Sequence, residues 1–293
     1  MSIKFCKCPY IPCPIRGNCE ACMAKHRGGP LPHCMEKVAE DLGAKLPLRF
    51  PKTEVLDDAA AVSRRTAEIV RETLGRKPDA LLCFPAGSTV IQTCEVLLEM
   101  QGRGEIDFRK AHFVSLDEWV GLENDSENCS AFLRAHLYGP LGISEEQLTL
   151  FDPDAEDLEA ECARIDASIQ SQGGIDLMIL GIGMNGHIGL NEPGESFDSY
   201  SKVVTLADTT KDVGQKYFSS PTTLTRGITL GVRHVFDSRQ VVLQVIGDAK
   251  KDIIYSMYHA QPTPDIPATV MTLLGGGLVV IDKAAAARIL DIL

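Results

Sequence analysis

From about residue 55 onward, apolar runs of strand length alternate with amphipathic stretches of helical length, and this alternation restricts the fold more than any single motif. Residues 55–74 read as an amphipathic helix. Residues 80–84 read as a buried strand, broken by Pro85-Ala86-Gly87, and residues 89–101 as a helix. A strand over 111–116 ends on Asp117-Glu118, and a helix over 127–137 stops at Tyr138-Gly139-Pro140. A helix over 156–172 leads into a strand over 175–180. Further strands are expected at 202–206 and 240–246, a helix at 250–259, and a last strand at 278–281. Strands interleaved with helices build a mostly parallel sheet with helices on both faces, an α/β architecture of the Rossmann-like kind.

In such a sheet, ligands bind at the carboxyl ends of the strands. The richest segment there is Gly181-Ile-Gly-Met-Asn-Gly-His-Ile-Gly-Leu-Asn-Glu-Pro-Gly194, directly after the apolar run at 175–180. Its Gly181-x-Gly183-x-x-Gly186 spacing matches a dinucleotide fingerprint. That fingerprint needs a helix of several turns after the third glycine, and Gly189 and Asn191-Glu192-Pro193-Gly194 interrupt any such helix. A nicotinamide site is therefore disfavoured. His187 and Glu192 suit proton transfer near neutral pH, and the glycines let a ligand approach the backbone.

Three other segments sit at strand ends. Phe84-Pro-Ala-Gly-Ser-Thr89 is a strand-to-helix turn in which Gly87, Ser88 and Thr89 offer hydroxyls and free amides to a phosphate, or else simply cap the helix. Asp117 and Glu118 point to opposite faces of a strand, so only one reaches a given pocket, as a general base; the plain alternative is a solvated pair opening a helix. Lys250 starts a helix, where a cation is unfavourable unless an anion is bound. Lys216 carries no signal by itself.

The chain holds 29 Lys/Arg against 40 Asp/Glu, a net charge of −11, which disfavours nucleic acid and anionic membranes as partners. No apolar run reaches the roughly 18 residues of a membrane span, and the start, MSIKFCKCPY, lacks the apolar core of a signal peptide, so a cytoplasmic location is expected. Six of the ten cysteines, Cys6, Cys8, Cys13, Cys19, Cys22 and Cys34, crowd into a segment that is basic and too poor in apolar residues for its own core. Residues 1–45 read as a separate Cys-rich module, and residues 50–293 as the α/β domain. In a cytosolic protein a subset of those cysteines points to a structural zinc, with Cys19-x-x-Cys22 as two ligands; an iron–sulfur site, disulfides or free thiols are the alternatives.

Taken in order, FPAGST, SLDEWVGL, GIGMNGHIGLNEPGESF, TRGITLGV, VIGDAK and IPATVMTLL resemble the glucosamine-6-phosphate deaminase superfamily, over roughly residues 50–290. The galactosamine-6-phosphate branch is the closer likeness. The glucosamine enzymes typically read MDEYVGL and NDGHIAFNEP, with an aspartate at the position of Asn185 and a phosphate-binding arginine at that of Lys216. Regulated members place an effector-binding lysine where this chain has Val204. The resemblance implies a small-molecule substrate, an amino-sugar 6-phosphate, isomerised and deaminated without a cofactor. Galactosamine 6-phosphate would give tagatose 6-phosphate and ammonia; the alternative is glucosamine 6-phosphate giving fructose 6-phosphate. It further implies Asp117 as the base between C1 and C2, and His187 positioned by Glu192 for ring opening. Asn185 would be a hydrogen-bonding partner, and Gly87, Ser88, Thr89, Lys216 and Lys250 the phosphate clamp. A 6-phosphogluconolactonase is disfavoured by Asp117-Glu118-Trp119, where those enzymes read Asp-Glu-Arg. A non-catalytic sugar-phosphate sensor is the last alternative, and a homo-oligomer is left open.

Overall fold

The computed structural model describes residues 51–274 and 276–293. The six cysteines read as metal ligands, and the Cys-rich segment that carries them, lie outside the described residues. Seven parallel strands form the central sheet in the order β1-β10-β9-β6-β2-β3-β5. They are β1 Lys52–Leu56, β2 Leu81–Phe84, β3 His112–Ser115, β5 Leu148–Thr149, β6 Leu177–Leu180, β9 Val241–Val245 and β10 Gly277–Asp282. A second sheet, antiparallel and three-stranded, joins β4 Asp117–Val120, β8 Arg226–Thr229 and β7 Lys202–Thr205.

Period-two patterning assigns each strand residue to one face. In β2, Leu81 and Cys83 pack into the core on one side, while Leu82 and Phe84 pack into the core on the other. Helices α1 (Ala59–Arg76) and α2 (Ile91–Gly102) cover the second face, with Val62, Ile69, Val70 and Leu97 buried. The first face is covered by α4 (Leu158–Ser171) and α7 (Lys251–His259). The short helices α3 (Cys129–Leu133) and α5 (Asp208–Gly214) border the site, and α6 (Val232–Asp237) packs into the core of the first face. No described helix is long and apolar enough to cross a membrane.

Two expectations need correction. The helix expected at 55–74 begins only at Ala59, with the Asp58 side chain accepting from Ala61 N at 2.8 Å. Residues 52–56 are an edge strand paired on one side only, with β10; its partial cover and its Lys52 and Glu54 hide the strand signal. Asp117-Glu118 does not open a helix. It starts β4, because Leu116 turns the chain from one sheet into the other. The strand expected at 202–206 exists, but it belongs to the antiparallel sheet. A small core under that sheet holds Trp119, Leu190, Val204 and Leu206, so Val204 is packing material here.

The amino edge of the central sheet is held by Asp176. Its Oδ2 accepts from Leu81 N at 2.9 Å and from Lys77 Nζ at 2.7 Å, and its Oδ1 stands 3.0 Å from Arg239 Nε. Removing it orphans a buried amide at the start of β2. We expect Asp176→Ala to cost about 1–3 kcal/mol in urea unfolding, and to leave the pocket at the opposite edge unaffected; equal loss of stability and of ligand binding under folding conditions would contradict that separation.

Candidate active site

The strand order reverses between β2 and β6: from β2 the chain runs outward through β3 to β5, then returns to β6 and proceeds through β9 to β10. Open α/β sheets bind ligands at such a switch point, beyond the carboxyl ends of the strands. The four central strands β9, β6, β2 and β3 each end in one of the segments that the sequence singled out. Together these enclose a cavity of about 480 Å³, of the size that holds a small molecule.

One group of its lining residues suits an anion. Gly87, Ser88 and Thr89 line the cavity, and Gly87 has φ +127°, a backbone that favours glycine. Residues Ser88–Val90 form one tight turn before α2, and neither hydroxyl caps it. The Thr89 carbonyl accepts from Gln244 Nε2 at 2.9 Å, and Gln244 Oε1 accepts from Thr93 Oγ1 at 3.1 Å, so a buried glutamine of β9 fixes the turn. Lys216 and Lys250 reach the same cavity. The Lys250 amine donates to the Ile182 carbonyl at 2.7 Å. Burial first, and the positive charge of Lys216 second, push its pKa down to about 8. Two cations beside a set of free amides form a site that a phosphate dianion would relieve.

Asp117 lines the same cavity. Burial and then the neighbouring charge of Glu118 push its pKa up to about 7, while a hydrogen bond with Cys129 pulls the other way. Strand alternation sends Glu118 away from the cavity into the protein, where it is fully buried. There it accepts from Trp119 N at 2.9 Å and from Cys129 N, Ser130 N and Ser130 Oγ at 2.8 Å each. Glu118 therefore ties α3, which borders the cavity, to the strand that carries Asp117. Burial raises its pKa, and these hydrogen bonds oppose the rise.

His187 and Asn185 also line the cavity, and Glu192 is buried behind them. The loop between Gly181 and Gly194 forms no helix, which agrees with rejecting a dinucleotide fingerprint. The absence of a side chain at Gly183 has a local reason: a Cβ there would collide with the His187 ring. Asn185 Oδ1 accepts from His187 N at 3.2 Å, and its Nδ2 donates to Glu192 Oε2 at 2.9 Å. Ala207 N donates to Glu192 Oε1 at 3.2 Å. Burial pushes the Glu192 carboxyl up, but hydrogen bonds from His187, Thr210 and Asn185 outweigh it and hold the group below the usual range. His187 Nδ1 lies 3.5 Å from Glu192 Oε2 and 3.1 Å from Thr210 Oγ1.

Sequence reasoning missed Thr210, Gln244 and the anchoring role of Glu118. Thr210 follows Asp208-Thr209 at the start of a short helix, where threonine is unremarkable, and no spacing marks it. Gln244 sat inside an apolar strand, and that lone polar residue was the available signal. No group of three or more His, Cys, Asp or Glu able to hold a metal occurs among the described residues.

Residues 54–279 match the family described as glucosamine-6-phosphate isomerases/6-phosphogluconolactonase. The chain belongs to this family. A glucosamine-6-phosphate deaminase of Thermoanaerobacter sp. (strain X514) is 38% identical over 232 residues, covering 78% of this chain and 92% of the relative. One from Bacillus pumilus (strain SAFR-032) is 35% identical over 231 residues, with 78% and 96% covered. A solved structure of a monomeric glucosamine-6-phosphate deaminase superposes with a TM-score of 0.78 at 30% identity, covering 81% of this chain and 99% of that one. The 6-phosphogluconolactonase from Trypanosoma cruzi shares the fold, with a TM-score of 0.66 at 17% identity and 82% and 97% covered.

A carboxyl held near 7 by burial carries a stability cost. Between the ordinary aspartate pKa near 3.9 and about 7, the folded chain holds a proton that the unfolded chain releases. Stability therefore falls as pH rises through that window. Asp117→Asn should match wild type at pH 4 and exceed it at pH 8, by on the order of 2 kcal/mol once the side chain's exposure to the cavity is allowed for. Chemical unfolding at the two pH values measures this; a variant no more stable than wild type at pH 8 would contradict the raised pKa.

Proposed function

We propose that this protein is a glucosamine-6-phosphate deaminase, converting glucosamine 6-phosphate and water to fructose 6-phosphate and ammonia. The observation that carries the reading is one cavity lined both by groups suited to an anion, Gly87–Thr89, Lys216 and Lys250, and by acid–base groups, Asp117 and His187. The relatives supply the substrate: those at 35–38% identity named above are glucosamine-6-phosphate deaminases. They favour the glucosamine sugar over the galactosamine epimer to which the loop motifs pointed.

In this reading the phosphate is clamped by the two lysines and the Gly87–Thr89 turn, which orients the reacting carbons and spends remote binding energy at them. His187 moves the proton that opens the sugar ring. Asn185 cannot transfer that proton in the ordinary way; it holds Glu192 and the His187 backbone in place. Asp117 then takes the C2 proton of the open aldose, giving an enolamine. Returning the proton to C1 leaves an iminium at C2, which water hydrolyses to the ketone and ammonia. An acid–base group with a pKa of about 7 suits both halves of this transfer. We assign the catalytic unit to residues 50–293 and keep residues 1–45 as a separate metal-binding segment, to be tested by adding a chelator to the assay.

Asn185, where glucosamine enzymes typically carry aspartate, keeps galactosamine 6-phosphate as the second reading. Ammonia release measured on both sugars decides. Faster turnover of the galactosamine substrate would replace the first reading with the second, and no release from either would sink both. Asp117→Asn should lower kcat by at least about a hundredfold. The wild-type kcat/KM should fall roughly tenfold per pH unit below about 7, as Asp117 takes up its proton. Lys250→Ala should act mainly on KM, raising it on the order of tenfold; a pure kcat effect would argue against a phosphate clamp.

A further inference from the structure

Glu192 is placed to serve His187, yet the imidazole's nearer partner is another group. Thr210 Oγ1 stands 3.1 Å from His187 Nδ1, while Glu192 Oε2 stands 3.5 Å away. Thr210 is only 4% exposed, and its side chain also hydrogen-bonds Glu192. A hydroxyl is both donor and acceptor, so it can receive Nδ1–H and give its own O–H to the carboxylate. Asn185 is not free to do this. Its Nδ2 is engaged by Glu192 Oε2 at 2.9 Å, and its Oδ1 by the His187 backbone at 3.2 Å.

We propose that Thr210 is a positioning residue that bridges His187 to Glu192, keeping a proton on Nδ1 so that Nε2 exchanges protons with the substrate. The inference rests on the deaminase reading and adds to it the group that sets the histidine's tautomer. No covalent bond changes at Thr210. Its oxygen accepts from Nδ1–H and its hydrogen stays directed at Glu192, while Nε2 gains or loses a proton and the carboxylate balances the imidazole's charge. Placement strengthens the case. Thr210 lies in α5, and α5 runs directly into the turn Gln215–Tyr217, which carries Lys216. One segment thus presents both a cation, Lys216, and the hydroxyl against His187 to the same cavity.

The test compares Thr210→Val, Thr210→Ala and Thr210→Ser in the full chain, each checked by thermal unfolding. Ammonia release from the better amino-sugar 6-phosphate gives kcat and KM, and nitrogen-15 spectra of labelled histidine report the His187 tautomer. The valine and alanine variants should lose about tenfold or more in kcat with little change in KM, the size of one lost hydrogen bond in the transition state. Serine should restore turnover, and the Nδ1–H signature should weaken in valine and alanine alone. Should valine not fold, alanine gives the same comparison. Wild-type kcat in the valine or alanine variant, or a tautomer unchanged in both, would overturn the bridge. If wild type releases no ammonia from either sugar, the deaminase reading fails, and the tautomer comparison still decides the role of Thr210.

Discussion

The structure depends on a parallel sheet whose central strands are buried on both faces. Leu81 to Phe84 and Leu177 to Leu180 are apolar throughout because neither face meets water. Such strands leave no room for chemistry along their length, so polar groups collect at their ends. The amino ends hold a structural carboxylate, Asp176, whose partners are a backbone amide and two basic side chains. The carboxyl ends hold the cavity. Which edge of the sheet a polar residue occupies therefore decides what it does.

The cavity holds two ionisable groups that stand near like charges. Asp117 has Glu118 beside it in the chain, and Lys250 feels Lys216. Each group is pushed toward its neutral form by burial and by a like charge. Structures tolerate such pairs where function needs them and offset them elsewhere. Here Glu118 shows the offset: the carboxylate that burdens Asp117 also receives four hydrogen bonds, and the three from Cys129 and Ser130 fix α3 against β4.

Much of this was legible in the sequence, for reasons that can be named. Buried parallel strands leave long apolar runs, and the breaks after them, at Pro85, Asp117, Gly181 and Gly247, marked where ligands would bind. Eight of the nine candidate residues for catalysis and the phosphate clamp, Gly87, Ser88, Thr89, Asp117, Asn185, His187, Lys216 and Lys250, line one cavity, and the ninth, Glu192, is buried behind it. What escaped was structure made by distant pairing. The edge strand β1 and the strands β4 and β8 are short, partly polar and defined by their partners more than by their own pattern. Thr210 escaped because only the fold brings a threonine to the far side of the imidazole.

The switch point between β2 and β6 has a consequence for folding. Asp117 enters from the branch of the chain that grows toward β5, while His187 and Lys250 enter from the branch that returns through β6 and β9. The two branches meet only when β6 docks beside β2, a parallel pairing between segments separated by most of a hundred residues. The pocket therefore requires that pairing, and its presence reports that β6 has docked beside β2.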